Sequence, residues 1–241
     1  MLKYREAIYN NYFTNQVNKL DKDYQAMLSE QAKHNTVELI HLLPSDKEAV
    51  IVDLGCGFGT FVKPAIDAGY TNVIGYDISQ EQVDVAHKLG ISTVHHSSID
   101  DFFAQGKKVD VIVGLDIIEH FTKDELIDFL LNVKKCLNPG GKAIFRTPNM
   151  DAPQTSLYAY GDISHEVFLN KSSALQVTKA MGFTKVEVTG GLIHNARPLL
   201  ELIRSIGWWK YKMFKKIVLF CTARTWHNVV FEPNLVIVAE A

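Results

Sequence analysis

The chain contains an apolar segment that ends in an acid and runs into three glycines at alternate positions. The segment reads Val50-Ile51-Val52-Asp53-Leu54-Gly55-Cys56-Gly57-Phe58-Gly59. A short apolar run before a glycine-rich turn predicts a buried parallel strand, and residues 60–68 then show a helical pattern. Glycines in such a turn let the backbone approach a ligand and leave amide N–H groups free to face it. The sequence therefore predicts the first strand–turn–helix unit of a doubly wound α/β sheet.

The neighbours of these glycines discriminate between ligands. A dinucleotide-binding turn needs a third glycine at the position that Thr60 occupies in this chain. The carboxylate of Asp53 would also face a pyrophosphate with like charge, which is unfavourable. A ligand that carries positive charge beside a carboxylate suits both the acid and the free amides. S-adenosylmethionine has this combination, whereas a nicotinamide dinucleotide does not.

The turn resembles the first motif of the class I S-adenosylmethionine-dependent methyltransferases. Their pattern is acid-x-G-x-G-x-G, and it is matched by Asp53, Gly55, Gly57 and Gly59. The resemblance implies S-adenosylmethionine as the cofactor, with Cys56 also in contact with it. It further implies a Rossmann-like sheet of seven strands whose last strand is antiparallel.

Segments after later strands extend the resemblance. Asp77 follows Gly55 by 22 residues, where an acid can accept hydrogen bonds from both ribose hydroxyls. The segment from Leu115 to His120 matches the L-D-x-x-E-H form of the fourth motif, whereas Ser98 stands where the family commonly has an Asp. The further predicted cofactor contacts are Asp77, Ile78, Ser98, Ile99, Leu115 and Asp116.

Strands and helices alternate through about residue 148, which predicts a parallel sheet with right-handed crossovers. The predicted strands are residues 49–52, 72–76, 91–95, 109–115, 142–146, 184–188 and 235–239. Capping boxes are predicted at Ser79 with Gln82 and at Thr122 with Glu125, and Asn170 is a predicted N-cap. The family resemblance implies a turn at residues 139–141 before the fifth strand. We predict a single domain over residues 1–241. Its predicted parts are a helical cap at 1–45, a cofactor-binding core at 46–191, a helical insertion at 192–232 and a last strand at 233–241.

The loop after the fifth strand concentrates groups that could act on an acceptor. Its segment Gly161-Asp162-Ile163-Ser164-His165-Glu166 is similar to the G-D-x-T/S-H-E segment of methyltransferases from cell-surface glycan and lipopolysaccharide pathways. That resemblance implies His165 as general base, oriented by Asp162, with His120 nearby. The alternative is that these residues only brace the loop. The candidate substrate contacts are Asn149, Tyr158 and Tyr160.

Composition limits the partners. A formal net charge of −2 gives no global attraction to nucleic acid, and no nucleic-acid partner is expected. Three cysteines without C-x-x-C spacing argue against a disulfide framework or a zinc cage, and no metal site is predicted. The amino terminus lacks a signal-like apolar region and no apolar stretch approaches membrane-spanning length. We therefore expect a cytoplasmic protein.

The predicted insertion is basic and aromatic. From Leu202 to Phe231 it has no acid, whereas residues 204–224 hold six basic side chains among aromatic ones. Such a helix could contact a membrane surface peripherally, hold substrate phosphates as a lid, or pack on the sheet or against a second subunit of a homodimer.

The sequence thus predicts an S-adenosylmethionine-dependent methyltransferase whose acceptor is a hydroxyl of a sugar or glycan precursor. One alternative is a methyltransferase that acts on a quinone or lipid precursor at the membrane surface. The other is a non-catalytic module that binds S-adenosylmethionine, which the departure at Ser98 favours.

Overall fold

The computed structural model describes residues 23–191 and 198–241. Its centre is a seven-stranded sheet with the order β3-β2-β1-β4-β5-β7-β6. β7 pairs antiparallel with both β5 and β6, and the other pairings are parallel. The strands are β1 Ile51–Leu54, β2 Val73–Asp77, β3 Val94–His96, β4 Val109–Leu115, β5 Leu137–Pro148, β6 Thr184–Gly191 and β7 Asn234–Glu240. The predicted fold class is confirmed.

Helices cover both faces of the sheet, as the parallel strands require. They are α1 Tyr24–Leu39, α2 Val62–Asp67, α3 Gln80–Lys88, α4 Ile99–Ala104, α5 Lys123–Cys136, α6 Thr155–Ala159, α7 Lys171–Ala180 and α8 Pro198–Cys221. Short 3-10 helices span Ile40–Leu42 and Ile118–His120. One apolar layer packs α5 and α7 against the sheet, and the other packs α1, α2 and α3 against the opposite face.

Side-chain caps set several helix starts. The Thr122 hydroxyl accepts from the Glu125 amide while the Glu125 carboxylate accepts from the Thr122 amide, which is the capping box that the sequence predicts for α5. Asn170 caps α7, also as predicted. At α3, Ser79 accepts from the Gln82 amide, which is half of the predicted capping box, whereas the Gln82 side chain lies beside Gly57.

Some boundaries differ from the sequence-based expectation. β3 begins at Val94 and not at Ile91, because residues 92–93 form a turn after Ile91, which is buried against Gly59. β5 begins at Leu137, so the predicted Pro-Gly-Gly turn forms an irregularity within this strand. Of the predicted cap, residues 1–22 lie outside the described residues, as do residues 192–197 of the predicted insertion.

Candidate active site

The glycine-rich turn between β1 and α2 is held by the neighbouring strand. The amides of Gly55 and Cys56 donate to the Tyr76 carbonyl at 2.8 and 3.1 Å. The amide of Gly57 donates to Asp77 Oδ2 at 2.7 Å. Gly55 has a φ of +72°, and a Cβ there would stand 2.6 Å from the Ile117 side chain. The turn therefore needs glycine for both conformation and space.

Asp53 lies at the root of this turn with an incompletely satisfied carboxyl group. It is 1% exposed, and its Oδ1 has no hydrogen-bond partner among the described residues. Burial raises its pKa well above the usual range, Asp77 raises it further, and Arg146 opposes the shift. Because Asp53 also lines the adjacent cavity, a donor or cation bound there would satisfy the orphaned oxygen.

A cavity of about 700 Å³ runs from the glycine-rich turn to the loop after β5. This is the size of a cofactor or small-molecule site. One wall is α1, which contributes His34, Asn35 and Glu38. The predicted site residues that line it are Asp53, Gly55, Cys56, Gly57, Leu115, Asp116, His120, Tyr158, Asp162 and His165. The predicted cofactor and acceptor groups thus share one cavity.

Other predicted cofactor residues stand behind or beside the cavity wall. Asp77 is 8% exposed and accepts from the amides of Gly57 and Ser79, so it supports the turn directly. Ile78, next to it, is 54% exposed. Gly59 has a φ of +86°, and a Cβ there would lie 2.9 Å from Ile91. Its absent side chain lets the turn pack closely against the segment before β3.

Ser98 and Ile99 follow β3 and begin α4. The Ser98 hydroxyl donates to Asp101 Oδ2 at 2.7 Å and accepts from the Asp101 amide at 3.0 Å, so it forms a capping box. Ile99 packs against the apolar core. Neither residue lines the described cavity. The serine at this departure from the family pattern has a local structural role.

Two of the predicted substrate contacts also lie outside the cavity lining. Asn149 is 1% exposed, and its amide donates to the Val230 and Glu232 carbonyls, each at 2.7 Å. It ties the end of β5 to the segment before β7. Tyr160 is 77% exposed, with its ring 5.5 Å from that of Phe168.

A hydrogen-bonded chain connects the loop after β5 to the end of β4. Asp162 Oδ1 accepts from the Ser164 hydroxyl at 2.6 Å and from the Ser164 amide at 2.9 Å. The Ser164 oxygen is 2.9 Å from His120 Nδ1. Since the Ser164 proton goes to Asp162, the serine oxygen accepts from His120 Nδ1–H. This assignment leaves His120 Nε2 without a proton.

The His120 ring is kept neutral. Burial is the main cause that lowers its pKa to about 4; nearby His165 lowers it too, and Asp162 opposes the shift. The rings of His120 and His165 meet edge to face, with centroids 4.7 Å apart. His165 Nδ1 is buried and has no hydrogen-bond partner among the described residues.

Glu119 lies next to His120 and His165 and forms a cluster with them. It is 2% exposed, it accepts from the Thr147 hydroxyl at 3.0 Å, and its pKa is raised to about 8, chiefly by burial. Glu119, His120 and His165 offer ligand atoms that all lie within 4.8 Å of one another. This is the one group among the described residues with a donor set suited to a divalent cation.

Arg146, at the carboxyl end of β5, links the sheet edge to α1. Its guanidinium pairs with Asp116 and with Glu38, the latter at 3.1 Å, and donates to Asn35 Oδ1 at 2.9 Å. Asp116 holds its place with a φ of +52°, in the left-handed region. Asn35 in turn donates to the Thr60 carbonyl at 3.0 Å. These bonds fix α1 over the glycine-rich turn.

Sequence reasoning missed Arg146, Glu119 and Ser164 as site residues. Glu119 and Ser164 lay inside motifs that were recognised for their neighbours. A charged residue at the end of an apolar parallel strand was the available signal for Arg146, because ligands of open α/β sheets bind at that edge.

Comparison with known proteins identifies the family. A family described as "Methyltransferase domain" matches residues 24–240, nearly the whole described chain. The chain belongs to this methyltransferase family. The prediction of a methyltransferase is thereby confirmed, and S-adenosylmethionine is the cofactor that the family and the structural neighbours support.

Curated relatives of the methyltransferase match part of its length. The "Ubiquinone biosynthesis O-methyltransferase" of Bartonella bacilliformis is 33% identical over 104 residues, and that of Roseobacter denitrificans is 29% identical over 104 residues. Each alignment covers 41% of this chain and 41% of the relative. The chain thus matches about two fifths of the length of these relatives.

Solved structures share the fold of the methyltransferase at low sequence identity. An S-adenosylmethionine-dependent methyltransferase from Archaeoglobus fulgidus has a TM-score of 0.65 at 17% identity, over 91% of this chain and 100% of that one. Phosphoethanolamine N-methyltransferase 2 of Haemonchus contortus, in complex with S-adenosylmethionine, has a TM-score of 0.61 at 17% identity, over 100% of this chain and 60% of that one.

Proposed function

We propose that the protein transfers the methyl group of S-adenosylmethionine to a hydroxyl of a small-molecule acceptor bound in the same cavity. When bound, the cofactor supplies a methyl group on a sulfonium, and the carbon–sulfur electron pair returns to sulfur as the acceptor oxygen displaces it. The observation that carries the proposal is that one cavity joins the glycine-rich turn to the Asp162–Ser164–His120 chain.

The residues around the turn suit this cofactor. The orphaned Oδ1 of Asp53 would accept from a cationic ligand, and the glycines let the backbone approach it. Asp77 keeps acceptor capacity for ribose hydroxyls, because each carboxylate oxygen accepts more than one hydrogen bond. Leu115 and Asp116 would lie against the methionine part. Arg146 would hold Asp116 and α1 in position around it.

His120 is the proposed general base. Its Nε2 would take the proton of the acceptor hydroxyl while the new oxygen–carbon bond forms. The Nδ1–H bond to Ser164, backed by the Asp162 carboxylate, would stabilise the imidazolium that results. His165, whose Nδ1 lacks a described partner, would position the acceptor or serve as the base in place of His120. Tyr158, which is 53% exposed at the cavity mouth, would contact the acceptor.

Two acceptor classes are proposed. A sugar or glycan precursor is favoured by the likeness of the segment 161–166 to glycan-pathway enzymes. A quinone or lipid precursor is favoured by the names of the relatives from Roseobacter denitrificans and Bartonella bacilliformis. Methyl transfer from radiolabelled S-adenosylmethionine to nucleotide sugars, lipid-linked sugars and dihydroxybenzene compounds would separate them. Transfer to none of these, with cofactor bound, would favour the non-catalytic binding module.

Matched histidine variants test the base assignment. In His120→Asn the amide nitrogen can still donate to Ser164, but nothing replaces Nε2. We expect a fall in kcat of about 100- to 10,000-fold with unchanged affinity for S-adenosylmethionine. His165→Asn is the matched control, for which we expect a smaller fall. The reverse order of effects would assign the base to His165, and loss of cofactor binding in both variants would indicate a structural role for the pair.

A further inference from the structure

Helix α8 carries an apolar stripe on its exposed side. The stripe consists of Leu202, Ile206, Trp209, Met213, Ile217 and Phe220, which recur every three or four residues along Pro198–Cys221. This spacing places them on one side of the helix. Each is between 42% and 72% exposed. Large apolar side chains that lie contiguously on a surface mark an interaction site.

The opposite side of α8 faces the rest of the protein. The Trp208 indole and the Lys212 ammonium donate to Glu232 Oε1 at 3.4 and 3.2 Å. Glu232 is also held through its carbonyl by Asn149, at the end of β5. These contacts anchor the helix with the stripe turned outward.

The charge around the stripe distinguishes two partners that could cover it, a second copy of the chain and an anionic surface. From Leu202 to Phe231 the sequence has basic side chains and no acid. Lys210 stands four residues after Ile206 on the same side, near the middle of the helix. A symmetric antiparallel pairing of two copies would bring the two Lys210 ammonium groups together with no acid on the stripe to pair with them. An anionic surface would instead attract the basic side chains that flank the stripe.

The length and composition of α8 favour a helix that lies along a surface. None of the described helices is long and apolar enough to cross a membrane. A helix of 24 residues extends about 36 Å, so α8 could lie flat over that distance. Exposed Trp209 and Phe220 are of the types that settle at the boundary between headgroups and acyl chains.

We propose that α8 docks in the plane of an anionic phospholipid membrane, with the apolar stripe inserted and the flanking Lys210 and Lys216 near the headgroups. Asn234, which lines the cavity, follows the anchoring Glu232 by two residues. Docking by α8 would therefore hold one wall of the cavity close to the lipid surface. The proposal requires no particular acceptor and stands independently of methyl transfer.

Vesicle co-sedimentation of the full chain tests the proposal. We expect binding to vesicles of phosphatidylcholine with phosphatidylglycerol, and much weaker binding to phosphatidylcholine alone. Each basic residue near the surface contributes about fivefold in affinity, and added salt should weaken the binding. The variant Trp209→Ser with Ile217→Ser should bind about tenfold more weakly or worse, because two inserted side chains are lost.

Leu200→Ser with Val218→Ser is the matched control. These residues are exposed on the same helix but lie to the side of the stripe, so the control should bind vesicles like the wild type. Thermal unfolding should be alike for all these proteins, since every changed side chain is exposed. The proposal is overturned if the wild type does not bind anionic vesicles or if both double variants bind equally well. It is also overturned if light scattering shows a stable dimer that only the stripe variant loses.

Discussion

Replacing Ser164 with alanine would break the link between Asp162 and His120 without touching the reacting atoms. Ser164 is fully buried, and the alanine variant lacks the hydroxyl that bridges Asp162 and His120. If His120 is the base, as we propose, its protonation turns the bond from Nδ1–H to Ser164 into a bond from a charged donor. Such a bond contributes about 1.5–3 kcal/mol. At about 1.4 kcal/mol per factor of ten, kcat should fall roughly 10- to 150-fold.

The assay is single-turnover methyl transfer by Ser164→Ala, with S-adenosylhomocysteine binding measured in parallel. We expect affinity for the cofactor product to be unchanged, because Ser164 does not line the cavity. Loss of the buried hydroxyl should lower the free energy of unfolding by about 1–3 kcal/mol, which urea denaturation would measure. Asp162→Asn is the graded control: its amide oxygen can still accept from Ser164, so its effect on kcat should be smaller. A turnover for Ser164→Ala within about twofold of wild type would refute the proposed role of the Asp162–Ser164–His120 chain.

Three further predictions follow from the same cluster. Since the pKa of His120 is lowered to about 4, the acid limb of kcat/KM should lie near that value, and a limb near 6.5 would contradict the assignment. The pKa of Glu119 is raised from 4.5 to about 8 by folding. The protonated carboxyl therefore contributes fully to the free energy of unfolding below pH 4.5, and this contribution is lost as the pH rises towards 8. Between those two pH values, urea denaturation should show the free energy of unfolding of the wild type falling by up to about 1.4 kcal/mol per pH unit relative to Glu119→Gln. If the free energy of unfolding had the same pH dependence in both proteins, the burial argument would be contradicted. Finally, proton transfer by His120 predicts full activity after dialysis against EDTA, whereas activity restored only by a divalent cation would assign Glu119, His120 and His165 to a metal site.

The sheet could be predicted because its signals are local. An apolar run, a glycine-rich turn and a capping residue each occupy a few consecutive positions, as at Thr122 and Asn170. The start of β3 was predicted wrongly. Ile91 is apolar and reads as the start of a strand, but it packs against Gly59, and β3 begins three residues later.

The candidate site was less predictable because its geometry joins distant residues. The bond from His120 to Ser164 spans 44 positions, and that from Arg146 to Asn35 spans 111. No pattern along the chain encodes such separations. The sequence suggested that Asp162 orients His165, whereas the described hydrogen bonds run from Asp162 through Ser164 to His120. Ser98 was predicted to contact the cofactor, but its hydroxyl caps α4.

The central claim is that the cavity beside the glycine-rich turn binds the adenosyl cofactor. Isothermal titration with S-adenosylhomocysteine tests it most directly, with wild type and Asp77→Ala compared at one salt concentration. We predict saturable one-to-one binding by the wild type. Binding by the variant should be about tenfold weaker or worse, because it loses both the proposed ribose acceptor and the bond that holds the Gly57 amide. Absence of wild-type binding to both S-adenosylhomocysteine and S-adenosylmethionine, or equal affinity in the variant, would contradict the account.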